Sequence, residues 1–197
     1  MSGTRTIRRI CVYCASSRRC DSGYREAAFD LGQRLGREKI TVVYGGGSLG
    51  SMGALADGAL SAAGHVVGII PDFMRELEWA HDGLSELQVV EDMRTRKHRM
   101  LEGSDAVIAL PGGSGTFEEL FEAISLKRLG LFRGPIVLVN TRDFFEPFQA
   151  LLNHCIEENM MAARHAKMWS LVADASGVLE AIRNAPNWGE NARDSAV

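Results

Sequence analysis

Apolar, β-branched runs alternate with stretches of helical period along most of this chain of 197 residues. Runs rich in Val and Ile predict strands, whereas apolar residues that recur every three to four positions predict helices. The predicted strands are IRRICVYCAS, TVVY, HVVGII, LQVV, DAVIAL, PIVLVN and WSLVA. The predicted helices span about residues 24–38, 49–63, 92–103, 116–130, 144–158 and 174–184.

The regular alternation of strand and helix predicts the fold class. Strands joined by helices pair in parallel, with the helices covering both faces of the sheet. The runs VVGII and AVIAL are apolar almost throughout, as expected for strands that are covered on both sides. We therefore expect one doubly wound α/β domain over residues 1–185. The polar ending predicts a C-terminal tail over residues 186–197.

Composition and charge limit the kinds of partner that this chain is expected to bind. With 46% hydrophobic residues, 24% charged residues and a net charge of −3, the chain has no general basic bias toward nucleic acid or membrane. No apolar run approaches a membrane span of about 20 residues, and the N-terminus lacks the apolar core of a signal peptide. We therefore expect a cytoplasmic protein with no nucleic-acid or membrane partner, in which any anion site is local.

The cysteines do not predict a metal site. Cys11 and Cys14 form a C-x-x-C, but they lie in a predicted strand, where positions three apart point to opposite faces. No second C-x-x-C and no histidine spacing typical of a metal site accompanies them. We expect reduced thiols, no metal and no cofactor.

The turn after the predicted strand DAVIAL, with the sequence LPGGSGTFEEL, has two interpretations. The amides of Gly113, Ser114, Gly115 and Thr116 would point out of a helix N-terminus at the carboxyl edge of the sheet, where they favour an anion such as one phosphate. Thr116 and Glu119 also have the spacing of a capping box, which needs no ligand. Three glycines are more than a cap requires, but the turn alone leaves both interpretations open.

A second glycine-rich turn, VVYGGGSLGSMGALADGAL, follows the strand TVVY. Gly45, Gly47 and Gly50 fit G-x-G-x-x-G, and Asp72 follows at about the distance of a ribose contact in a dinucleotide site. This motif alone is a weak signal. Tightness of the turn and packing of helix on strand at Gly50 explain the glycines nearly as well.

The basic segment EDMRTRKHRM predicts an inward-facing arginine. Met93, Arg96, Lys97 and Met100 have the spacing of one helix face, so Arg96 turns inward if the methionines face the core. An inward arginine needs a carboxylate or a phosphate. Glu119 or a bound phosphate could supply it.

The predicted helix 116–130 would carry Glu119 in its first turn, beside the anion loop. Its apolar residues predict a buried stripe and leave Glu118, Glu119 and Glu122 on other faces. The predicted stripe consists of Phe117, Leu120, Phe121, Ile124 and Leu131.

These segments resemble the motifs of a known family. PGGSGTFEE resembles the PGGxGTxxE motif, and MRTRKHRM resembles the basic Arg-Lys motif, of the LOG ("lonely guy") family of cytokinin riboside 5′-monophosphate phosphoribohydrolases, long misannotated as lysine decarboxylases. ICVYCASS and the second glycine-rich turn are also similar to that family, so the resemblance runs from about residue 7 to 184. It implies a modified Rossmann fold, a homodimer, and hydrolysis of N6-substituted adenosine monophosphates to free base and ribose 5-phosphate.

The resemblance also implies a set of site residues. Arg96 and Glu119 match the catalytic pair, and Gly113 to Thr116 match the phosphate loop. Arg94 and Ser114 differ from the commonest residues at variable motif positions, which leaves the substrate preference open. Further substrate contacts are expected at Gly45, Gly46, Gly47, Glu76, Lys97, Phe117, Glu118 and Ser125.

The sequence leaves alternatives open. A nucleotide-sensing module would keep the loops without needing Glu119, and a dinucleotide oxidoreductase would use the Gly45–Gly50 turn. Lysine decarboxylation is disfavoured, because no lysine is placed as a Schiff-base former. Two further points are open: whether the substrate is a cytokinin nucleotide or AMP, and whether Arg96 orients Glu119 or contacts the substrate.

Overall fold

The computed structural model describes residues 6–75 and 79–189 and contains the seven strands and six helices that the periodicity predicts. The strands are β1 (Arg9–Tyr13), β2 (Thr41–Tyr44), β3 (Val66–Pro71), β4 (Glu86–Val90), β5 (Ala106–Ala109), β6 (Ile136–Val139) and β7 (Trp169–Val172). The helices are α1 (Ser22–Arg37), α2 (Gly50–Ser61), α3 (Met93–Leu101), α4 (Ser114–Arg128), α5 (Glu146–Glu157) and α6 (Val178–Asn184).

The strands form one parallel sheet in the order β4-β3-β2-β1-β5-β6-β7. The chain winds outward from β1 through β2, β3 and β4, and then returns to the other side of β1 to place β5, β6 and β7. The order therefore reverses between β1 and β5, which makes their carboxyl ends the topological switch point. The predicted doubly wound parallel sheet is confirmed.

Each face of the sheet packs on its own set of helices. Alternate residues such as Val12 and Ile108 pack with α1, α2 and α6, whereas Val43 and Val107 pack on the opposite face with α3, α4 and α5. This separation follows from the period of two along a strand. Helices α3 and α4, which carry the predicted catalytic pair, therefore lie on one face.

Two expectations from the sequence, one on the cysteines and one on membrane spans, can be compared with the structure. Cys11 and Cys14 form no disulfide. Both are buried and belong to the hydrophobic clusters on opposite faces of the sheet, as their spacing predicted. In the part of the chain that the structure describes, no helix has both the length and the apolar character of a membrane span.

The segment after α6 returns to the body of the domain. The indole of Trp188 donates a hydrogen bond to the backbone carbonyl of Lys127 at 2.6 Å, and the guanidinium of Arg164 lies over the same ring. Residues 190–197 lie outside the described residues. The boundary at residue 186 between domain and tail stays a prediction.

His165 links stability to pH. Its ring is 1% exposed, and its Nδ1 accepts a hydrogen bond from the Ala162 amide at 3.1 Å. Burial lowers the pKa of His165, and the nearby cations of Arg128 and Arg164 lower it further. Because the unfolded chain then binds this proton at a higher pH than the folded chain does, stability falls as the pH drops from about 6.5 toward the folded pKa.

Replacing His165 by Gln should therefore weaken the loss of stability on acidification. The free energy of unfolding, measured with urea at pH 7.5 and pH 5.5, should differ less between the two pH values in His165→Gln than in the wild type. His154→Gln is the matched control, because His154 is a surface residue with a side chain 66% exposed. An unchanged pH dependence in His165→Gln would contradict this assignment.

Candidate functional site

The candidate site lies at the carboxyl ends of β1, β2 and β5, on the face covered by α3 and α4. In doubly wound sheets ligands bind in the crevice outside these ends, at the switch point. The glycine-rich turn 45–49 follows β2, and the turn 110–113 follows β5. Leu110 donates its amide to the carbonyl of Tyr13 at 2.9 Å, which ties the second turn to the end of β1.

The turn after β5 presents an open helix N-terminus. Gly113 is the N-cap of α4 in an extended conformation, and no side chain caps this helix. Gly113, Ser114 and Gly115 are exposed, and a Cβ added at Gly113 or Gly115 would meet no atom within 4 Å. The first amides of an α-helix have no intrahelical acceptor and sit at the positive end of its dipole. The turn can therefore hold an anion of the size of one phosphate.

The predicted capping box is wrong. Helix α4 begins at Ser114, so Thr116 is its third residue and not the N-cap. Thr116 is buried, and its hydroxyl occupies the space that a side chain at Gly112 would need. Gly112 therefore lets α4 begin three residues earlier than the capping-box pattern indicates, which leaves the exposed glycines at the helix start.

Arg96 faces inward, as predicted. It is 3% exposed, and Met100 from the same face of α3 is also buried. Its guanidinium donates to the carbonyl of Gly45 at 2.8 Å through Nη2 and to the carbonyl of Ile69 at 3.1 Å through Nε. These bonds fix a permanent cation at the ends of β2 and β3.

Glu119 is also buried, with only 9% of its surface exposed, in the second turn of α4. Its charge acts on Tyr13, the last residue of β1, and on Cys11 in the middle of the same strand. Burial raises the pKa of the Tyr13 hydroxyl well above its usual range, and the neighbouring Cys11 and Glu119 add to this rise. Burial likewise raises the pKa of Cys11, and the charge of Glu119 adds to it. Tyr13 therefore remains a neutral hydroxyl near the carboxylate.

The predicted stripe of α4 is partly wrong. Leu120 and Ile124 are buried as expected, but Phe121 is 39% exposed and Leu131 is 62% exposed. Glu119, predicted to lie on another face, is buried instead. The buried face of α4 consists of Thr116, Glu119, Leu120, Ala123, Ile124 and Lys127.

Lys97 joins α3 to α4. Its Nζ donates to the Glu118 carboxylate and lies 3.0 Å from Oε2 of Glu122. The Lys97 side chain is only 18% exposed. The hydrogen bond to Glu118 raises the pKa of Lys97, burial opposes the rise, and Glu122 adds to it. Lys97 is therefore held as a cation between two carboxylates.

The glycines of the turn after β2 have structural roles. A Cβ at Gly45 would overlap Nη2 of Arg96, and Gly46 has a positive φ of 83°. Gly47 pairs with Ala80 in an isolated bridge. Gly50 has φ of 61°, and a Cβ there would lie 2.5 Å from the carbonyl oxygen of Ser17. Close packing thus explains Gly45 and Gly50 of the G-x-G-x-x-G pattern without a dinucleotide.

The remaining predicted residues are distributed more widely. Phe117 lies in the first turn of α4 and stacks on Phe144, with ring centroids 6.1 Å apart. Ser125 is exposed and lies eleven residues beyond Ser114, about 16 Å along the helix axis. The structure therefore does not bring Ser125 to the anion loop of its own chain. Glu76 lies outside the described residues.

Two residues near the site were not predicted from the sequence to be site residues. Tyr13 is buried within the electrostatic influence of Glu119, and Glu122 completes the bridge to Lys97. Glu122 follows Glu118 by four residues, so both lie on one face of α4. The spacing of Glu118 and Glu122 could have indicated from the sequence that they share a partner, whereas Tyr13 has the pattern of an ordinary strand residue.

Comparison with known proteins identifies a family and individual proteins to which this chain is similar. A family described as "possible lysine decarboxylase" matches residues 52–182. A cytokinin riboside 5′-monophosphate phosphoribohydrolase from Rhodococcoides fascians is 38% identical over 180 residues, which cover 91% of each protein. LOG3 of Arabidopsis thaliana, which bears the same enzyme name, is 41% identical over 156 residues, covering 79% of this chain and 73% of LOG3.

A solved structure shares the fold. The molybdenum cofactor carrier protein of Chlamydomonas reinhardtii is 20% identical and superposes with a TM-score of 0.70, covering 91% of this chain and 98% of its own. At this identity the likeness concerns the fold alone.

Proposed function

Because this chain belongs to the family of the cytokinin riboside 5′-monophosphate phosphoribohydrolases, we propose that it hydrolyses the N-glycosidic bond of N6-substituted adenosine 5′-monophosphates. The products are the free base and ribose 5-phosphate. One observation in the structure carries this assignment: a buried carboxylate, Glu119, lies five residues behind the open helix N-terminus at Ser114, about 7.5 Å along the helix axis.

Glu119 is the proposed catalytic carboxylate. When the C1′–N9 bond breaks, its electron pair leaves with the base and positive charge builds on the ribose. A carboxylate near C1′ stabilises this charge and can orient or deprotonate the attacking water, by analogy with glycoside hydrolysis. The burial of Glu119 strengthens this interaction, because electrostatic effects are larger away from water.

The exposed turn at Gly113, Ser114 and Gly115 is the proposed 5′-phosphate site. Phosphate binding far from the reacting bond supplies energy that positions the sugar. Arg96, which is fixed by the carbonyls of Gly45 and Ile69, provides the positive charge on the neighbouring strands. Substrate contacts of Gly46, Gly47, Glu76, Lys97, Thr116, Phe117, Glu118 and Ser125 stay predictions.

A substitution at Gly115 tests the proposed phosphate site, because it should weaken nucleotide binding without lowering the stability of the protein. Gly115→Ala adds a Cβ into open space in the free protein, and Ala favours a helix over Gly by about 0.5–1 kcal/mol. The new Cβ points toward the helix N-terminus, where the phosphate would lie. The variant should therefore unfold at an equal or higher temperature and yet bind nucleoside monophosphates at least about tenfold more weakly.

Thermal unfolding and calorimetric titration with AMP check this prediction. The same titration with the nucleoside is the control, because its affinity should change much less. Equal weakening for nucleoside and monophosphate would place the phosphate elsewhere.

A product assay tests the proposed reaction and its substrate. Free base and ribose 5-phosphate are measured after incubation with N6-isopentenyl-AMP and with AMP. Faster release from N6-isopentenyl-AMP supports a cytokinin nucleotide as the substrate, and faster release from AMP would shift the substrate to the plain nucleotide. Binding of both without release would instead indicate a nucleotide-sensing module.

We further propose a cytoplasmic homodimer. The four cysteines, all within the described residues, form no disulfide, which fits a reducing compartment. Phe121, Leu129 and Leu131 give α4 and its C-terminal end an exposed apolar surface that fits a subunit interface. In such a symmetric dimer, the exposed Ser125 of one subunit could serve the site of the other. Light scattering coupled to size exclusion measures the mass directly, and an active monomer would contradict the dimer.

A further inference from the structure

We propose that Arg142, in the turn after β6, is a further substrate-binding residue, which pairs with Asp21 in the free protein and exchanges this partner for the 5′-phosphate of the substrate. The inference rests on the proposed function and adds a residue to its phosphate site. In the free protein, Nη1 of Arg142 lies 3.3 Å from Oδ2 of Asp21. We call these two residues the exchange pair.

The exchange pair joins two elements that stand on either side of the proposed phosphate site. Asp21 is the N-cap of α1, the helix after β1, whereas Arg142 lies in the turn after β6. In the sheet, β5 stands between β1 and β6, and the turn after β5 leads to the exposed amides at Gly113, Ser114 and Gly115. All three turns follow the carboxyl ends of parallel strands, so they lie at the edge of the sheet where ligands bind.

Ring contacts hold the turn after β6 against both helices. Phe144 stacks on Phe117, in the first turn of α4, with ring centroids 6.1 Å apart. It also meets Tyr24, in the first turn of α1, edge to face at 5.9 Å. Arg142 precedes Phe144 by two residues, so its backbone is held beside the N-termini of α1 and α4. Its side chain is 59% exposed and can turn from one helix start to the other.

The backbone at Arg142 is strained, and neighbouring hydrogen bonds hold it in place. Arg142 and Asp143 have φ of 57° and 58°, in the left-handed region that favours glycine. The backbone carbonyl of Asn140 accepts from the Asp143 amide at 3.0 Å, and its side-chain oxygen accepts from the Phe145 amide at 2.7 Å. Strained residues persist where the surrounding structure fixes them, and they are concentrated at functional sites. An arginine at a position suited to glycine therefore favours a function for its side chain.

The partner that Arg142 has in the free protein is easily replaced. The side chains of Arg142 and Asp21 are 59% and 47% exposed, and water screens such a surface ion pair so strongly that it adds little to stability. A phosphate monoester carries a charge of about −1.5 to −2 at pH 7 and accepts two parallel hydrogen bonds from a guanidinium. A phosphate on the exposed amides of α4 therefore attracts Arg142 more strongly than the single carboxylate of Asp21 does.

Two variants test the exchange, one for each partner. Arg142→Gly removes the guanidinium and relieves the strain of a positive φ, so thermal unfolding should occur near or above the wild-type temperature. Asp21→Asn removes the competing charge but keeps the side-chain oxygen that accepts from the Gly23 amide and caps α1. Arg183→Ala is the matched control, since Arg183 forms a similarly exposed ion pair with Glu38 at the opposite end of α1.

The exchange predicts opposite changes in AMP affinity, measured by calorimetric titration in a Glu119→Gln background that prevents turnover. Arg142→Gly should bind AMP at least about tenfold more weakly, as expected for the loss of a charged hydrogen-bond donor, and should bind adenosine within about twofold of the unchanged protein. Asp21→Asn should bind AMP about two- to fivefold more tightly. With Arg142→Gly also present, Asp21→Asn should bring no gain, because no guanidinium is left to release.

Three results of these titrations would overturn the proposal. They are an unchanged AMP affinity in Arg142→Gly, an equal weakening for AMP and adenosine in that variant, and the same gain from Asp21→Asn with and without Arg142. Arg183→Ala should bind AMP like the unchanged protein.

Turnover gives a second readout. In Arg142→Gly with Glu119 intact, kcat/KM for N6-isopentenyl-AMP should fall about tenfold or more, while kcat/KM for the matching riboside stays near the wild-type value. A variant as active as the wild type on the monophosphate would contradict the exchange. Failure of the wild type to release base from either substrate would refute the proposed function instead, and the AMP titrations would still decide the role of Arg142.

Discussion

Glu119→Gln should lower base release from nucleoside 5′-monophosphates by about 10²–10⁴-fold while nucleotide binding stays within a few-fold of the wild type. Glutamine keeps the shape of the buried side chain but removes the charge that stabilises the developing positive ribose and activates water. The loss should therefore appear in kcat. Steady-state product assays give the rate, and calorimetric titration with AMP gives the affinity.

The control for this variant is Glu102→Gln, in which a carboxylate on the exposed surface is neutralised. It should retain the wild-type rate. A Glu119→Gln variant that keeps more than about a tenth of the wild-type kcat would contradict a catalytic carboxylate at this position. Loss of nucleotide binding together with activity would indicate that Glu119 acts in the ground state instead.

Gly45→Ala should impair both the site and the fold, through Arg96. A Cβ at position 45 would overlap Nη2 of Arg96, which donates to the Gly45 carbonyl at 2.8 Å. The arginine can move, but it then gives up buried hydrogen bonds to the carbonyls of Gly45 and Ile69. We expect a loss of about 1–3 kcal/mol in the free energy of unfolding and of about 10²-fold in kcat/KM.

A double variant shows whether the effect passes through the arginine. If Gly45→Ala acts by displacing Arg96, the activity of Gly45→Ala/Arg96→Ala should equal that of Arg96→Ala alone, because there is nothing left to displace. Additive losses in the double variant would mean that Gly45 contributes by another route. Denaturant unfolding and product assays on the three variants supply the comparison.

The fold was largely predictable because hydrophobic periodicity marks each element. All seven strands and six helices occur near their predicted positions, although α6 begins at Val178, after a short 3₁₀ helix at Ala175–Gly177. The strand order could not be predicted from the periodicity, since it depends on which strands pair across long connections. The switch point between β1 and β5 is therefore visible only in the folded sheet.

The wrong predictions lie at the candidate site. Hydrophobicity placed Phe121 on the buried face of α4 and Glu119 off it, but the structure reverses both assignments. A buried acid does not follow the apolar pattern, because its position serves chemistry or partners and not hydrophobic packing. The start of α4 was misplaced for a related reason: Thr116 packs over Gly112, a contact that the capping-box spacing does not reveal.

The inward orientation of Arg96 was predictable because the residues on the same face of α3 are apolar. Met93 and Met100 mark the inward face of α3, and their spacing alone predicts that Arg96 turns inward with them. The hydrogen-bond acceptors of the Arg96 side chain were not predictable. The carbonyls of Gly45 and Ile69 belong to turns and strands distant in sequence, and only the parallel pairing of β2 with β3 brings them together.

The most direct test of the proposed reaction is the ratio of kcat/KM for N6-isopentenyl-AMP to kcat/KM for the matching riboside, measured with the wild-type protein. If the open N-terminus of α4 anchors the 5′-phosphate and positions the ribose at Glu119, the monophosphate should be preferred by at least about 10²-fold. Comparable values for the two substrates would contradict a phosphate-anchored hydrolase.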